Sequence, residues 1–100
     1  MRYRVAYSPE ADHDIDTIYE YLLTKYQDVF AATNTVVSIS EKIKTLNLYP
    51  ERHKFNDRYY FVKVKKYKIY YRITGDLVYI VRIFHSLQTP VLPDINPLML

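Results

Sequence analysis

The stretch KVKKYKIYYRITGDLVYIVRIFH, residues 63–85, decides the fold. Apolar residues recur at every second position before Gly75, which is the pattern of a β-strand. Gly75 and Asp76 predict a tight turn, because glycine supplies the positive φ that a hairpin often requires. Residues 77–84 are almost continuously apolar, as in a central strand that is covered on both faces. An earlier turn near 65–66 separates a strand that carries Val62 and Val64, so we expect a meander of three strands.

The residues before this stretch predict one strand and two helices. Residues 2–7, RYRVAY, alternate as in a half-buried strand. Ser8 and Pro9 form a strong helix start, because serine can cap and proline fits the first helical position. This helix should end near Tyr26, and a second helix, capped by Asp28, should continue until Pro50 stops it. Two helices joined so closely should form an antiparallel hairpin. The second helix has one apolar stripe, formed by Val29, Val36, Ile39, Ile43 and Leu46.

The order of elements predicts an α+β domain. We expect a small antiparallel sheet, in the order β-α-α-β-β-β, with the helical hairpin packed on one face. The 100 residues should form a single domain, 1–100, since the chain is too short for a second core. The proline-rich residues 91–100 should be an extended or mobile tail.

Cations occupy alternate positions of the predicted strands. Lys63, Lys65, Lys68 and Arg72 share one parity across a hairpin, and no acid lies between them. We expect all four on the sheet face opposite the helices, because a register slip of one residue would bury them. Lysine could simply protect an exposed sheet edge, or this face could bind a nucleic-acid backbone or an acidic protein.

Charge is segregated along the chain, and other features restrict the class of protein. Five acids and no Lys or Arg lie between Glu10 and Glu20, whereas nine bases and two acids lie between Arg52 and Arg82. The absence of cysteine excludes a disulfide scaffold and a thiolate metal site. No signal-peptide pattern and no apolar run of membrane-spanning length are present, so we expect a soluble, cytoplasmic protein that contacts no membrane.

Several motifs, in this order, resemble the RelE/ParE superfamily of bacterial type II toxins. They are YSPEA, LNLYP, VKKYKIYYRI and VYIVRIFH, and the resemblance covers residues 2–86. It implies a growth-arresting toxin that an antitoxin encoded beside it holds inactive, with no cofactor. RelE-like members cut messenger RNA on the ribosome, whereas ParE-like members poison DNA gyrase and have no known nuclease site. The pattern is closer to ParE-like chains.

Cleavage of RNA without a metal needs a general base, cations to hold the phosphate and an acid for the leaving oxygen. His85 lies at the end of the last strand, where some RelE-like enzymes have a histidine, and Lys65 and Arg58 are the cations nearest the matching positions. These three would be the catalytic residues of a ribonuclease. ParE-like chains commonly have the same histidine, however, and SLQTP after His85 supplies no Arg, Lys or Tyr. We therefore favour a toxin that is not an enzyme.

The binding alternative depends on surface cations and on tyrosines that could stack on bases. Tyr70 and the pair Tyr59–Tyr60 are the better surface candidates among the tyrosines, because Tyr67 and Tyr71 share the parity of the core. The candidate residues for binding a target or nucleic acid are Lys63, Lys65, Lys68, Arg72, Tyr70 and Arg82. His13 lies among three aspartates, but these fan around a helix, so we expect no metal site.

The partners follow from these alternatives. A gyrase-binding toxin, a ribosome-dependent endoribonuclease acting on messenger RNA, and a toxin fold without remaining toxicity all stay open. In each toxin reading we expect a cognate antitoxin and a toxin–antitoxin hetero-oligomer. An antitoxin segment of mixed charge would suit the acidic helix and the basic sheet, with apolar anchors in the groove where the sheet meets the helix ends.

Overall fold

Both helices begin where the sequence places a capping residue. The computed structural model of the protein describes residues 2–92. Helix α1 spans Pro9–Tyr26, and its N-cap Ser8 accepts a hydrogen bond from the backbone N–H of Ala11 at 2.9 Å. Helix α2 spans Val29–Lys44, and the Asp28 carboxylate caps it. The predicted hairpin and both predicted caps are confirmed.

Helix α2 ends earlier than predicted. Lys44 is its last residue, and two short 3-10 turns follow at Thr45–Asn47 and Pro50–Arg52. The Thr45 hydroxyl donates to the Lys42 carbonyl at 2.6 Å, which satisfies one of the carbonyls left open at the helix end. The expectation that the helix continues until Pro50 was therefore wrong, because the chain tightens into a 3-10 turn before the proline.

Four strands form one mixed sheet. They are β1 (Arg4–Tyr7), β2 (Tyr60–Val64), β3 (Tyr67–Thr74) and β4 (Leu77–His85), in the spatial order β1-β4-β3-β2. The meander of β2, β3 and β4 is antiparallel, as predicted. β1 instead pairs in parallel with β4, so the sheet is not fully antiparallel as expected. The connection from β1 to β4 runs through both helices and then through β2 and β3, so it is long enough for the crossover that a parallel pair requires.

The main core lies between the helices and the sheet. Its buried residues come from both helices, the first 3-10 turn and three strands: Ala11, Ile18, Ile39, Ile43, Leu46, Val62, Tyr67, Ile69, Tyr71, Val78, Ile80 and Ile83. Most of the predicted apolar stripe of α2 belongs to it, but Val29 is 57% exposed at the hairpin tip. Tyr67 and Tyr71 are core residues, as their parity predicted.

A second, smaller cluster lies on the opposite face of the sheet. It consists of Tyr59, Tyr70, Val81, Phe84 and Leu92. Leu92 is buried and is the last described residue of the chain. The rest of the predicted tail, residues 93–100, lies outside the described residues. Neither described helix has the length and apolarity that crossing a bilayer requires.

Candidate functional site

β4 extends beyond the end of β1, and α1 protects the edge that is left open. β1 pairs with β4 only as far as Ile80, and a β-bulge follows. Ser8 donates its hydroxyl to the Val81 carbonyl at 2.7 Å, and Asp14 accepts the Ile83 N–H at 2.9 Å. The N-cap side chain of α1 and the Asp14 carboxylate within it thus replace part of the missing neighbouring strand and satisfy hydrogen bonds of β4.

Asp14 also holds Arg82 in a bidentate ion pair. Nε and Nη2 of Arg82 donate to the two carboxylate oxygens at 2.8 and 3.0 Å. Such fork-like pairs are stronger than single charged hydrogen bonds. The hydrogen bond to Asp14 raises the pKa of Arg82, so the guanidinium stays charged. Arg82, a candidate for target binding, therefore already has a structural partner.

His85 ends β4, and local contacts hold its ring. Its Nδ1 accepts the Leu87 N–H at 3.2 Å, and the ring packs edge-on against Tyr67 with the centroids 5.6 Å apart. Its backbone N–H donates to the side-chain oxygen of Gln88 at 2.8 Å. Because Nδ1 is an acceptor here, the neutral ring carries its proton on Nε2.

A groove runs between α1 and the end of β4, beside His85. We call it the α1–β4 groove; it has a volume of about 440 Å³ and is lined by Thr17, Ile18, Tyr21, Tyr67, His85 and Gln88. Ile18 and Tyr67 supply an apolar floor, and the other residues supply polar groups. A groove of this composition can hold an apolar side chain and bind the adjacent main chain. These six residues include no Lys or Arg, but the adjoining cavity, which shares His85 and Tyr67 with the groove, is also lined by Arg82.

A lysine–tyrosine cluster lies beside this groove, at the end of α1. The Lys25 ammonium is 5.5 Å from the ring centroid of Tyr21 and 5.3 Å from that of Tyr26. Its pKa is raised, first by a hydrogen bond with Tyr21. The pKa of Tyr67 is raised mainly by burial. At neutral pH the cluster therefore combines a charged lysine with a neutral Tyr67 hydroxyl.

The three candidate catalytic residues do not converge. Lys65 lies in the β2–β3 turn with φ 52° and lines a small cavity that shares Tyr67 with the α1–β4 groove, so it is on the same side as His85. Arg58 precedes β2 at its other end, roughly 20 Å from Lys65 at the rise of an extended strand. From residue 2 to residue 92, no three His, Asp or Glu side chains form a metal site.

Three of the four predicted cations lie on the sheet face opposite the helices. Lys63 and Lys68 are directly opposite each other across β2 and β3, and the Lys68 ammonium is 5.1 Å from the ring centroid of Phe61. Arg72 lies over the ring of Tyr59. Lys65 does not belong to this face, because it lies in the turn outside both strands. Neither Lys63 nor Lys68 forms an ion pair with any residue between 2 and 92.

The expected surface tyrosines are largely buried. Tyr70 is 2% exposed and Tyr59 is 0% exposed, because both belong to the second cluster beneath Leu92. Their predicted exposure was wrong, and Tyr70 has almost no ring surface to offer a base. Tyr60 is partly buried and stacks on Tyr71, with the centroids 5.6 Å apart.

Sequence reasoning missed two residues that shape the groove region. For Asp14 the sequence predicts a favourable interaction with the helix dipole and no metal site, but its hydrogen bonds to β4 depend on long-range packing that the local sequence does not specify. Gln88 belongs to SLQTP, a segment noted above only for its lack of Arg, Lys and Tyr. One signal was available for Asp14, since an acid on the first turns of a helix that follows a strand can reach the end of the sheet.

Comparison with known proteins identifies relatives at the level of family and fold. Residues 5–90 match the family model described as the ParE toxin of the type II toxin–antitoxin system parDE. No curated protein matches significantly.

Two solved structures share the fold. One, a chromosomal ParDE toxin–antitoxin system from P. aeruginosa, has 18% identity and a TM-score of 0.75, covering 84% of this chain and 96% of that chain. The other, the toxin–antitoxin complex RelBE2 from Mycobacterium tuberculosis, has 17% identity and a TM-score of 0.62, covering 85% of this chain and 99% of that chain.

Proposed function

Because the chain belongs to the ParE toxin family of type II toxin–antitoxin systems, we propose that it arrests bacterial growth by binding DNA gyrase in the cytoplasm and that a cognate antitoxin neutralises it. The observation that carries the proposal is the match to the ParE family model over residues 5–90. The arrangement of the candidate site also favours a toxin that binds its target over one that cleaves RNA.

The surroundings of His85 favour binding over RNA cleavage. A nuclease needs cations that stabilise the charge developing on the phosphate. Within the described residues, the α1–β4 groove beside His85 has no Lys or Arg in its lining, and Arg58 lies at the far end of β2. Arg82 is neutralised by Asp14. Lys25 beside Tyr21, and Lys65 and Lys66 in the β2–β3 turn, lie near the groove but outside its lining. Flexible lysines in such positions do not make a preorganised phosphate clamp.

The α1–β4 groove supports an antitoxin segment that docks along α1. Its floor can take an apolar anchor, while the acids Asp12, Asp16 and Glu20 are exposed on α1. The cations Lys63 and Lys68 lie on the other side of the sheet. A segment that wraps from one side to the other therefore needs mixed charge as well as apolar anchors.

The sheet face opposite the helices supports target recognition. Lys63 and Lys68 are like charges directly opposite each other, an arrangement that destabilises a sheet unless an anionic group neutralises it. An acidic segment of the target could do so. The double variant Lys63→Glu/Lys68→Glu should then reduce growth arrest while the protein remains folded.

The test is expression of His85→Asn in cells. Asparagine keeps an oxygen that can accept the Leu87 N–H but cannot transfer a proton, so the turn survives and acid–base chemistry does not. We expect growth arrest to persist, with filamentation and DNA damage rather than a rapid loss of translation. A general acid or base contributes about 10²–10⁴-fold in rate, so loss of killing in a folded variant would contradict the proposal.

The second candidate function is a RelE-like, ribosome-dependent endoribonuclease. The observation that favours it is the position of His85 in a groove whose lining also contains the hydroxyl-bearing Tyr21 and Tyr67. Cleaved messenger RNA in cells that express the wild-type chain, together with intact RNA in cells that express His85→Asn, would support this alternative.

A further inference from the structure

Positively charged residues lie at the end of α1, beside the α1–β4 groove. Lys25, in the last turn of α1, has its ammonium 5.5 Å from the ring centroid of Tyr21 and 5.3 Å from that of Tyr26. Tyr21 lines the groove, whereas Tyr26 lines a smaller cavity together with Lys65 and Lys66 of the β2–β3 turn. We call Lys25, Lys65 and Lys66 the groove-end lysines.

The groove-end lysines have donors available for a carboxylate. None of them forms an ion pair with an Asp or Glu side chain between residues 2 and 92. The Lys25 ammonium hydrogen-bonds to Tyr21 and Tyr26, contacts that raise its pKa, and these take two of its three donors. Tyr67 lines both cavities; burial raises its pKa, and the nearby charge of Lys25 lowers it to a smaller extent. At neutral pH its hydroxyl therefore keeps a proton to donate, close to the third donor of Lys25.

The composition of the groove selects a protein segment rather than a nucleic acid. A nucleic acid has a charge on every nucleotide and needs cations along its path. The six residues that line the groove include no Lys or Arg, so the groove-end lysines lie at one end of a lining that offers no phosphate contacts from these residue types. Ile18 and Tyr67 supply an apolar floor beside them. This combination suits a peptide that has one acidic side chain near an apolar one.

The polar residues of the lining favour an extended segment over a helix. A helix satisfies its own backbone hydrogen bonds, whereas an extended segment leaves N–H and C=O groups for its partner. Thr17, His85 and Gln88 have polar side chains beside the apolar floor that can bind those groups. Tyr21 is 54% exposed and Tyr26 is 52% exposed, and aromatic residues are enriched at protein interfaces. The region therefore fits an extended segment that contacts the groove and both rings.

We propose that an extended segment of the antitoxin binds here, with an apolar side chain on the groove floor and an Asp or Glu side chain at the groove-end lysines. Lys25 follows Ile18 by seven residues, which is two helical turns or about 10 Å along α1. An extended chain spans this distance in about three residues. The acid should therefore lie about three residues from the apolar anchor. The inference rests on the proposed neutralisation by an antitoxin and adds the chemistry of its docked segment.

The first experiment compares two charge reversals in this chain. Lys25 and Lys44 are both exposed and both lie in the last turn of a helix, so replacement by glutamate changes the net charge and the helix end alike. We expect Lys25→Glu to weaken binding of the purified antitoxin by at least about 30-fold, because it repels the docked carboxylate. Lys44→Glu should weaken binding by less than about 3-fold, through long-range attraction alone. Isothermal titration calorimetry measures both affinities, and circular dichroism checks both folds.

The second experiment identifies the acid of the partner. Short overlapping synthetic peptides that cover the antitoxin sequence are the probe. In the peptide that binds, each Asp is replaced in turn by Asn and each Glu by Gln. One replacement, about three residues from an apolar side chain, should weaken binding to the wild-type chain by about 10-fold and to Lys25→Ala by less than about 2-fold. Such a difference shows that this acid and Lys25 contact each other.

Three outcomes would overturn the inference. They are equal weakening by Lys25→Glu and Lys44→Glu, acid replacements that all act equally on the wild type and on Lys25→Ala, and a Lys25→Glu variant that keeps the antitoxin but loses a single-stranded RNA oligonucleotide bound by the wild type. The last result would assign the region to nucleic acid. In each case the antitoxin still binds, so the proposed neutralisation stands. An antitoxin that does not bind the wild-type chain would instead contradict the proposed function and this inference together.

Discussion

Tyr71 shows how one buried side chain connects the sheet to the segment after α2. It is 0% exposed, and its hydroxyl donates to the Pro50 carbonyl at 2.6 Å. Burial is the main cause that raises its pKa above the ordinary value of 10.0. The folded protein therefore favours the neutral phenol, and the hydrogen bond fixes the 3-10 turn that begins at Pro50 against β3.

Tyr71→Phe should lower the free energy of unfolding by about 1–2 kcal/mol, because the buried Pro50 carbonyl loses its donor. It should also reduce the loss of stability at alkaline pH. Since the folded pKa is raised, the contribution of Tyr71 is fully present below pH 10 and is lost as pH rises above that value. Denaturant unfolding from neutral pH upward measures both effects. Tyr60→Phe is the control, since it keeps the stacked ring; an equal effect there would contradict the assignment.

The Asp14 carboxylate accepts three hydrogen bonds, two from the Arg82 guanidinium and one from the Ile83 N–H. Asp14→Ala leaves both the partly buried Arg82 guanidinium and the Ile83 N–H without their acceptor. We expect a loss of about 2–3 kcal/mol in the free energy of unfolding, below the figure for a fully buried pair because Arg82 is partly exposed. Asp16→Ala, on the same helix at an exposed position, should change stability by less than about 0.5 kcal/mol. Thermal or denaturant unfolding of both variants measures the two losses of stability, and equal losses would contradict the role of Asp14.

The alternation of the strands predicted the faces of individual residues but not their exposure. Lys63, Lys68 and Arg72 lie on the predicted face because register follows from the hydrophobic pattern. Tyr70 lies on that face too, yet it is buried. Leu92 packs onto it from a segment far along the chain, and a local pattern contains no information about such a cover.

At the scale of elements, Ser8 joins a helix to a strand. Its side chain accepts the Ala11 N–H and donates to the Val81 carbonyl, and it is 2% exposed. Ser8→Ala should therefore cost about 2–3 kcal/mol, the sum of a lost cap and a lost buried hydrogen bond. Asp28→Ala removes a cap only, at an exposed helix start, and should cost about 1 kcal/mol. Similar losses in the two variants, measured by denaturant unfolding, would show that the bond to Val81 contributes nothing.

The elements that depend on local chemistry were predicted well. The caps Ser8 and Asp28, the turn at Gly75 and the three-strand meander all follow from short sequence signals. The direction of β1 does not, because nothing within residues 2–7 states which strand they will pair with. The α1–β4 groove was anticipated only as a region, since its lining depends on where β1 stops beside β4.

At the scale of the whole molecule, the segregation of charge should control how fast the antitoxin binds. Raising the salt concentration should slow association of the purified pair and leave dissociation nearly unchanged, because long-range attraction steers the encounter while apolar anchors in the α1–β4 groove hold the complex. Stopped-flow association and chase-dissociation measurements separate the two rates. A dissociation rate that rises steeply with salt would show that the anchors are not apolar.

The parallel pairing of β1 with β4 has a consequence for synthesis. Arg4 pairs with Leu77 and Tyr7 with Ile80. During synthesis β1 therefore remains unpaired until β4 has left the ribosome. A nascent chain can form its helical hairpin early, but its sheet cannot close until β4 has emerged. A chain cut short before β4 therefore lacks His85, the α1–β4 groove and a completed sheet. The candidate site is therefore assembled only after β4 has been synthesised.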